Sequence, residues 1–135
     1  MSGVLGRLIF SRSRVRPARL RRAVRDRVVV VTGASHGVGR QTARVLADAG
    51  ATVLVPARSA HLLDELVAQI RTRGGRAHAY PVDLADFTAV RQVAHRVPAD
   101  HGPVDVLVNN AGKSIRRSVE LSGQRFHDFR RLTDV

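Results

Sequence analysis

From residue 27 onward, short apolar runs alternate with stretches of helical spacing. This alternation predicts an α/β chain built on a doubly wound parallel sheet, truncated after about four strands. Two further observations support it. The runs at residues 28–31 and 52–55 are apolar on both faces, as strands covered by helices above and below must be. The helical stretches run out at Gly50, at Gly74-Gly75 and near Gly102, glycine being the residue that most readily closes a helix in a left-handed turn. With right-handed crossovers, the order corresponds to the first half of such a sheet plus one strand past its switch point.

Residues 28–31 are the first strand, and the helix over residues 38–49 is expected to turn Val38, Val45, Leu46 and Ala49 toward the sheet. After a second strand at residues 52–55, Ser59 caps a helix whose Leu62, Leu63, Leu66, Val67 and Ile70 recur at helical spacing. Residues 77–82 form the third strand. Asp86 caps a third helix bearing Phe87, Val90, Val93, Ala94 and Val97, broken near Pro98 and Gly102. Residues 104–108 read as a buried fourth strand which, with no strand beyond it, keeps an uncovered apolar edge prone to aggregation. After residues 109–112 a last helix begins near Ser122 and buries Phe126, Phe129 and Leu132.

The chain has 135 residues, 44% of them hydrophobic, enough for one domain with a real core. It has no cysteine, which excludes disulfides and thiolate metal sites and fits a reducing cytoplasm. Its histidines are scattered without metal-ligand spacing, so no metal site is expected. The net charge of +12 is uneven: Arg7, Arg12, Arg14, Arg16, Arg19, Arg21, Arg22 and Arg25 stand against the single acid Asp26 before residue 27. Residues 1–26 are therefore expected to be a basic, disordered arm, and residues 27–135 the domain. No aromatic alternates with the arginines to stack bases, which argues against specific nucleic-acid binding. The apolar Val4-Leu5 and Leu8-Ile9-Phe10 are too short to span a bilayer but suit a weak contact of the arm with an anionic membrane surface, and hence a placement peripheral to the membrane.

The chemistry is concentrated where the first strand runs into Thr32-Gly33-Ala34-Ser35-His36-Gly37-Val38-Gly39. Glycines let the chain reverse and let backbone N–H groups approach a diphosphate, and the following helix directs its unpaired N–H groups at the anion. Arg58, after the second strand, replaces the acid that would hydrogen-bond a ribose 2′-hydroxyl; its guanidinium suits a 2′-phosphate, so NADP is expected over NAD. His36 can donate to a phosphate. Asp83, followed by Leu84, stands at the end of the third strand, where it can accept from an adenine amino group or cap a turn. Asn109 and Asn110 can satisfy backbone groups where strands diverge.

The TGxxxGxG spacing, Arg58, Asp83-Leu84 and the Asn109-Asn110-Ala111-Gly112 run together resemble the short-chain dehydrogenase/reductase family, over residues 27–135. The resemblance implies a Rossmann-type fold and a nicotinamide cofactor lined by Gly33, Ser35, His36, Gly37, Val38, Gly39, Arg58, Asp83, Leu84, Asn110, Ala111 and Gly112. It also implies hydride transfer on a carbonyl or alcohol substrate and, for complete members, a homo-oligomer. Residues 112–118 and the basic arm resemble actinobacterial reductases of fatty acyl or long-chain aldehyde substrates.

Family chemistry uses an asparagine, a serine, and a tyrosine and lysine spaced YxxxK. Tyr80 and Lys113, the single tyrosine and single lysine, cannot form that pair, so no catalytic residue is assigned. Residues 132–135 resemble the segment just before the catalytic asparagine, and the chain is expected to be an inactive amino-terminal fragment. Two other readings remain: a non-catalytic NADP-binding or interaction module, and an α/β-hydrolase whose GxSxG elbow would be Gly33-Ala34-Ser35-His36-Gly37.

Overall fold

The computed structural model describes residues 16–112; the expected helix near Ser122, with Phe126, Phe129 and Leu132, lies outside the described residues. In chain order the elements are α1 (Pro17–Val24), β1 (Val28–Val31), α2 (Gly37–Asp48), β2 (Thr52–Ala57), α3 (Ala60–Thr72), β3 (Arg76–Pro81), α4 (Phe87–His101) and β4 (Val106–Val108). All four strands are parallel, in the order β3-β2-β1-β4, with Val28 opposite Thr52, Thr52 opposite Arg76 and Val29 opposite Val106. The chain travels outward from β1 to β3 and returns on the other side of β1. This topological switch opens a crevice at the carboxyl ends of β1 and β4.

Alternate strand residues serve opposite faces of the sheet. Val29, Val31, Val53, Val55 and Ala77 pack with Ala43, Ala47, Leu63, Leu66 and Ile70 of α2 and α3. Val28, Val30, Leu54 and Tyr80 meet Val93 and Val97 of α4. Val106 and Leu107, on opposite faces of β4, remain 40% and 57% exposed, and β4 pairs only with β1 among the described residues.

The ends of α2 and α3 are closed alike. Gly50, at φ 96°, donates to Ala47 O while Ala51 donates to Leu46 O; Gly74, at φ 79°, donates to Arg71 O while Gly75 donates to Ile70 O. Both are the paired bonds of a Schellman turn, which satisfy the last carbonyls of a helix. Asp86 caps α4 as expected, accepting from Thr88 N at 2.9 Å and Ala89 N at 3.1 Å. Ser59 occupies the cap position of α3, but its side chain makes no capping bond.

Several expectations are corrected. The arm is not disordered throughout: α1 forms because Pro17 pre-sets the first turn and Leu20 and Val24, four residues apart, dock on the core. In α2 the buried residues are Gly39, Ala43 and Ala47, whereas Val38 and Val45 are 76% and 42% exposed. Small side chains let the helix lie close to the sheet, and the bulky valines point aside. Phe87 is likewise 85% exposed on the first turn of α4. Pro98 does not break α4; it forfeits one helical bond, and the helix ends at Gly102, whose N–H donates to Pro98 O at 2.9 Å. The fourth strand starts at Val106, two residues later than expected. Ahead of it Asp105 accepts from Val28 N at 2.8 Å and from Arg27 at 2.7 Å, and these partners, the backbone N–H first, hold its carboxyl below the usual carboxylate range.

Candidate functional site: a nucleotide crevice at the carboxyl ends of the strands

Four connections meet at the crevice: the turn after β1, Arg58 and Ser59 after β2, Asp83 to Ala85 after β3, and the loop after β4. They enclose a space of about 400 Å3. Ten of the twelve expected residues line it: Gly33, Ser35, His36, Gly37, Arg58, Asp83, Leu84, Asn110, Ala111 and Gly112. The other two contribute differently. Val38 projects outward from the first turn of α2, and Gly39 is buried under the turn.

Thr32, the first residue of the TGxxxGxG run, organises the turn through side-chain bonds that the spacing did not specify. Its hydroxyl accepts from Asn110 N and Ala111 N, each at 3.0 Å, and donates to Val108 O at 3.3 Å. The hydroxyl's hydrogen-bonding capacity is thereby filled. The Asn110 amide donates back to Thr32 O at 3.1 Å and to Gly33 O at 3.3 Å, clasping the turn to the β4 loop. The approach is so close that only glycine fits: a Cβ on Gly33 would lie 2.8 Å from Ala111 Cα, and its φ is 66°. Gly37, at φ 52°, has open space where a Cβ would be, so its backbone conformation alone favours glycine there.

Sequence reading passed over Arg40. From α2 it donates to Ser35 O at 3.2 Å and Leu62 O at 3.3 Å and pairs with Glu65 at 3.6 Å, bracing the turn against α3. Its position one residue after Gly39 is the only sequence cue. Ala57, Ser59 and Ala85 line the crevice as well, each adjacent to an expected residue.

Arg58 is exposed at the end of β2 and pairs with no carboxylate among the described residues. Asp83 accepts from Ala85 N at 3.1 Å through one oxygen, which is the turn-capping role; no hydrogen bond to its other oxygen occurs among the described residues. His36 Nδ1 lies 3.0 Å from Ser35 Oγ. A hydrolytic triad would need an acid on that ring, and none pairs with it among the described residues. Tyr80 stands apart from the crevice. Its hydroxyl lies 2.8 Å from His101 Nε2 and donates to Asp100 at 3.3 Å, and burial, followed by Asp100, raises its pKa. Among the described residues no group of three or more His, Cys, Asp or Glu could hold a metal ion, and no helix is long and apolar enough to cross a membrane.

A parallel sheet with a glycine turn, a helix start and an exposed cation at its carboxyl edge defines a dinucleotide-binding protein of the Rossmann type. The profile described as short chain dehydrogenase matches residues 27–135, and the chain belongs to that family. It is 46% identical over 116 residues to an uncharacterized oxidoreductase of Mycobacterium tuberculosis, covering 84% of this chain and 34% of the relative. It is 46% identical over 118 residues to a fatty acyl-CoA reductase of Acinetobacter baylyi, covering 87% of this chain and 40% of the relative. Among solved structures, a metagenomic short-chain oxidoreductase in complex with NADP superposes with a TM-score of 0.73 at 35% identity, over 84% of this chain and 51% of that one. The chain thus spans between a third and about half the length of these relatives. Family membership also removes the hydrolase reading of the Gly33–Gly37 turn.

Proposed function

We propose that this chain holds NADP(H) in the crevice and forms the cofactor-binding part of an oxidoreductase that interconverts a carbonyl and an alcohol, with fatty acyl or long-chain aldehyde groups as substrates. The observation that carries the cofactor choice is Arg58, an exposed cation without a carboxylate partner among the described residues, at the strand end where ribose specificity is set. The residues fit the group. Gly33 and Gly37 would leave room for a diphosphate against the turn and the start of α2, Arg58 would hold a 2′-phosphate, and Asp83 could accept from the adenine amino group. The bound cofactor supplies the hydride; this chain binds and orients it. Support comes from the NADP-bound solved relative and, for the substrate class, from the Acinetobacter baylyi fatty acyl-CoA reductase. The setting is cytoplasmic, near a membrane surface, and the complete protein works as a homo-oligomer.

Calorimetry of the full chain tests the cofactor reading. NADPH should bind more tightly than NADH, and Arg58→Ala should erase a difference of about 1–3 kcal/mol, the size of a charge-assisted hydrogen bond. Equal affinities in the parent chain would reject it.

A second reading, a non-catalytic NADP-binding module, is favoured by Tyr80, the single tyrosine, which bonds to His101 and Asp100 instead of lining the crevice. These 135 residues should therefore bind NADPH and not oxidise it in the presence of aldehydes or acyl thioesters. Turnover above background would overturn that expectation.

A further inference from the structure

Helix α1 uses only one side to hold itself to the domain, through Leu20 and Val24. Successive helix residues turn by about 100°. Arg19 and Arg22 therefore fall on the far side, flanked by Arg16 and Arg21, with Ala18 and Ala23 between them, and all six are exposed. Other arginines at this end of the sheet are neutralised: Arg76 by Asp26, Arg27 by Asp105 and Arg73 by Asp48. Among the described residues no carboxylate pairs with Arg16, Arg19, Arg21 or Arg22. The alanines leave two shallow depressions along the helix, each walled by arginine. Because α1 leads into β1, this surface lies at the amino ends of the strands, opposite the crevice.

We propose that the arginine face of α1 is a docking surface for an anionic lipid bilayer, to which the protein binds with its crevice turned away from the headgroups. Guanidinium groups bind phosphate oxygens bidentately, and a row of them that pairs with no carboxylate among the described residues is complementary to a plane of acidic headgroups, Asp26 at its edge being held by Arg76. The apolar stripe of α1 is already used against the core, so the helix lies on the headgroups and does not sink into the acyl layer. Two observations favour lipid over nucleic acid: no aromatic side chain stands on this face, and the sequence ahead of it sets Val4, Leu5, Leu8, Ile9 and Phe10 beside Arg7 and Arg12. The inference deepens, and rests on, the membrane-proximal setting of the proposed function.

The test is flotation of the full chain with vesicles of phosphatidylcholine alone or with about a third phosphatidylglycerol. Binding should appear only on the anionic vesicles and disappear near about 0.5 M salt, where screening shortens the reach of the charges. Arg19→Gln with Arg22→Gln should weaken it by roughly 25-fold, about fivefold per lost charge. NADPH affinity, read separately by calorimetry, should be unchanged in that variant; lost NADPH binding in the parent would count against the cofactor reading and not against this one. Equal binding to neutral vesicles, or an unchanged variant, would overturn the proposal. A duplex oligonucleotide that strips the chain from vesicles at a lower phosphate concentration would overturn it in favour of nucleic acid.

Discussion

Replacing Gly39 by alanine adds one carbon at the most crowded point of the site. The new Cβ would fall on Asn110 Nδ2 and lie 2.6 Å from Gly33 O, with backbone on one side and a clasped amide on the other. Displacing the amide gives up its bonds to Thr32 O and Gly33 O, at about 1 kcal/mol each, and overpacking adds about 1–3 kcal/mol. The better helix propensity of alanine returns up to about 1 kcal/mol. The net loss is about 2–4 kcal/mol, a large share of the ~5–15 kcal/mol by which a domain is stable. The turn also moves away from the diphosphate position, so NADPH binding should weaken at least about tenfold, or ~1.4 kcal/mol. Urea unfolding and calorimetry on the same samples read both effects. Gly37→Ala is the comparison, since it meets no atom within 4 Å and carries only the strain of φ 52°, about 1–2 kcal/mol. If Gly39→Ala unfolds at the parent midpoint and binds NADPH like the parent, the clasp does not constrain the turn and the reasoning fails.

Thr32→Val should destabilise by about 1–3 kcal/mol in urea, because Asn110 N and Ala111 N lose their shared acceptor, while Thr32→Ser should recover most of the loss. Asp86→Ala should cost about 1 kcal/mol by uncapping α4, with loss of helical circular dichroism before the main transition. His78 titrates below the ordinary imidazole value of about 6.5, through burial first and then His101 and Arg71, with Asp100 opposing them. The unfolded chain therefore takes up this proton first; the contribution is complete above about pH 6.5 and lost as the pH falls toward the lower folded value. Urea midpoints measured across that range should decline on acidification, and His78→Gln should flatten the decline.

Much of the architecture was legible because it depends on periodicity and on a few residues with unusual backbones. Apolar runs such as Val28–Val31 have no other stable place than a buried parallel strand, and Gly50 and Gly74 mark helix ends that they do close. The crevice was legible for the same reason, since glycines at close approaches are hard to replace. What escaped depended on tertiary packing. Leu20 and Val24 were hidden among arginines, and only the core they dock on reveals α1. Val38 and Val45 fit a helical stripe by hydrophobicity, but helix-to-sheet distance selects Gly39, Ala43 and Ala47. Thr32 and Arg40 belong to no period; their partners lie on other elements, across 76 or more residues in the case of Thr32.

The clasp between Thr32, Gly33 and Asn110 joins the glycine turn to β4, which among the described residues pairs only with β1. Whatever orders the turn must also order the loop that follows β4, and the dependence runs equally in both directions. Nucleotide binding and attachment of β4 to the sheet are therefore thermodynamically linked. A ligand held at the turn slows local opening of β4, and a contact that pins Val106 and Leu107 from outside raises affinity in the crevice without touching the ligand.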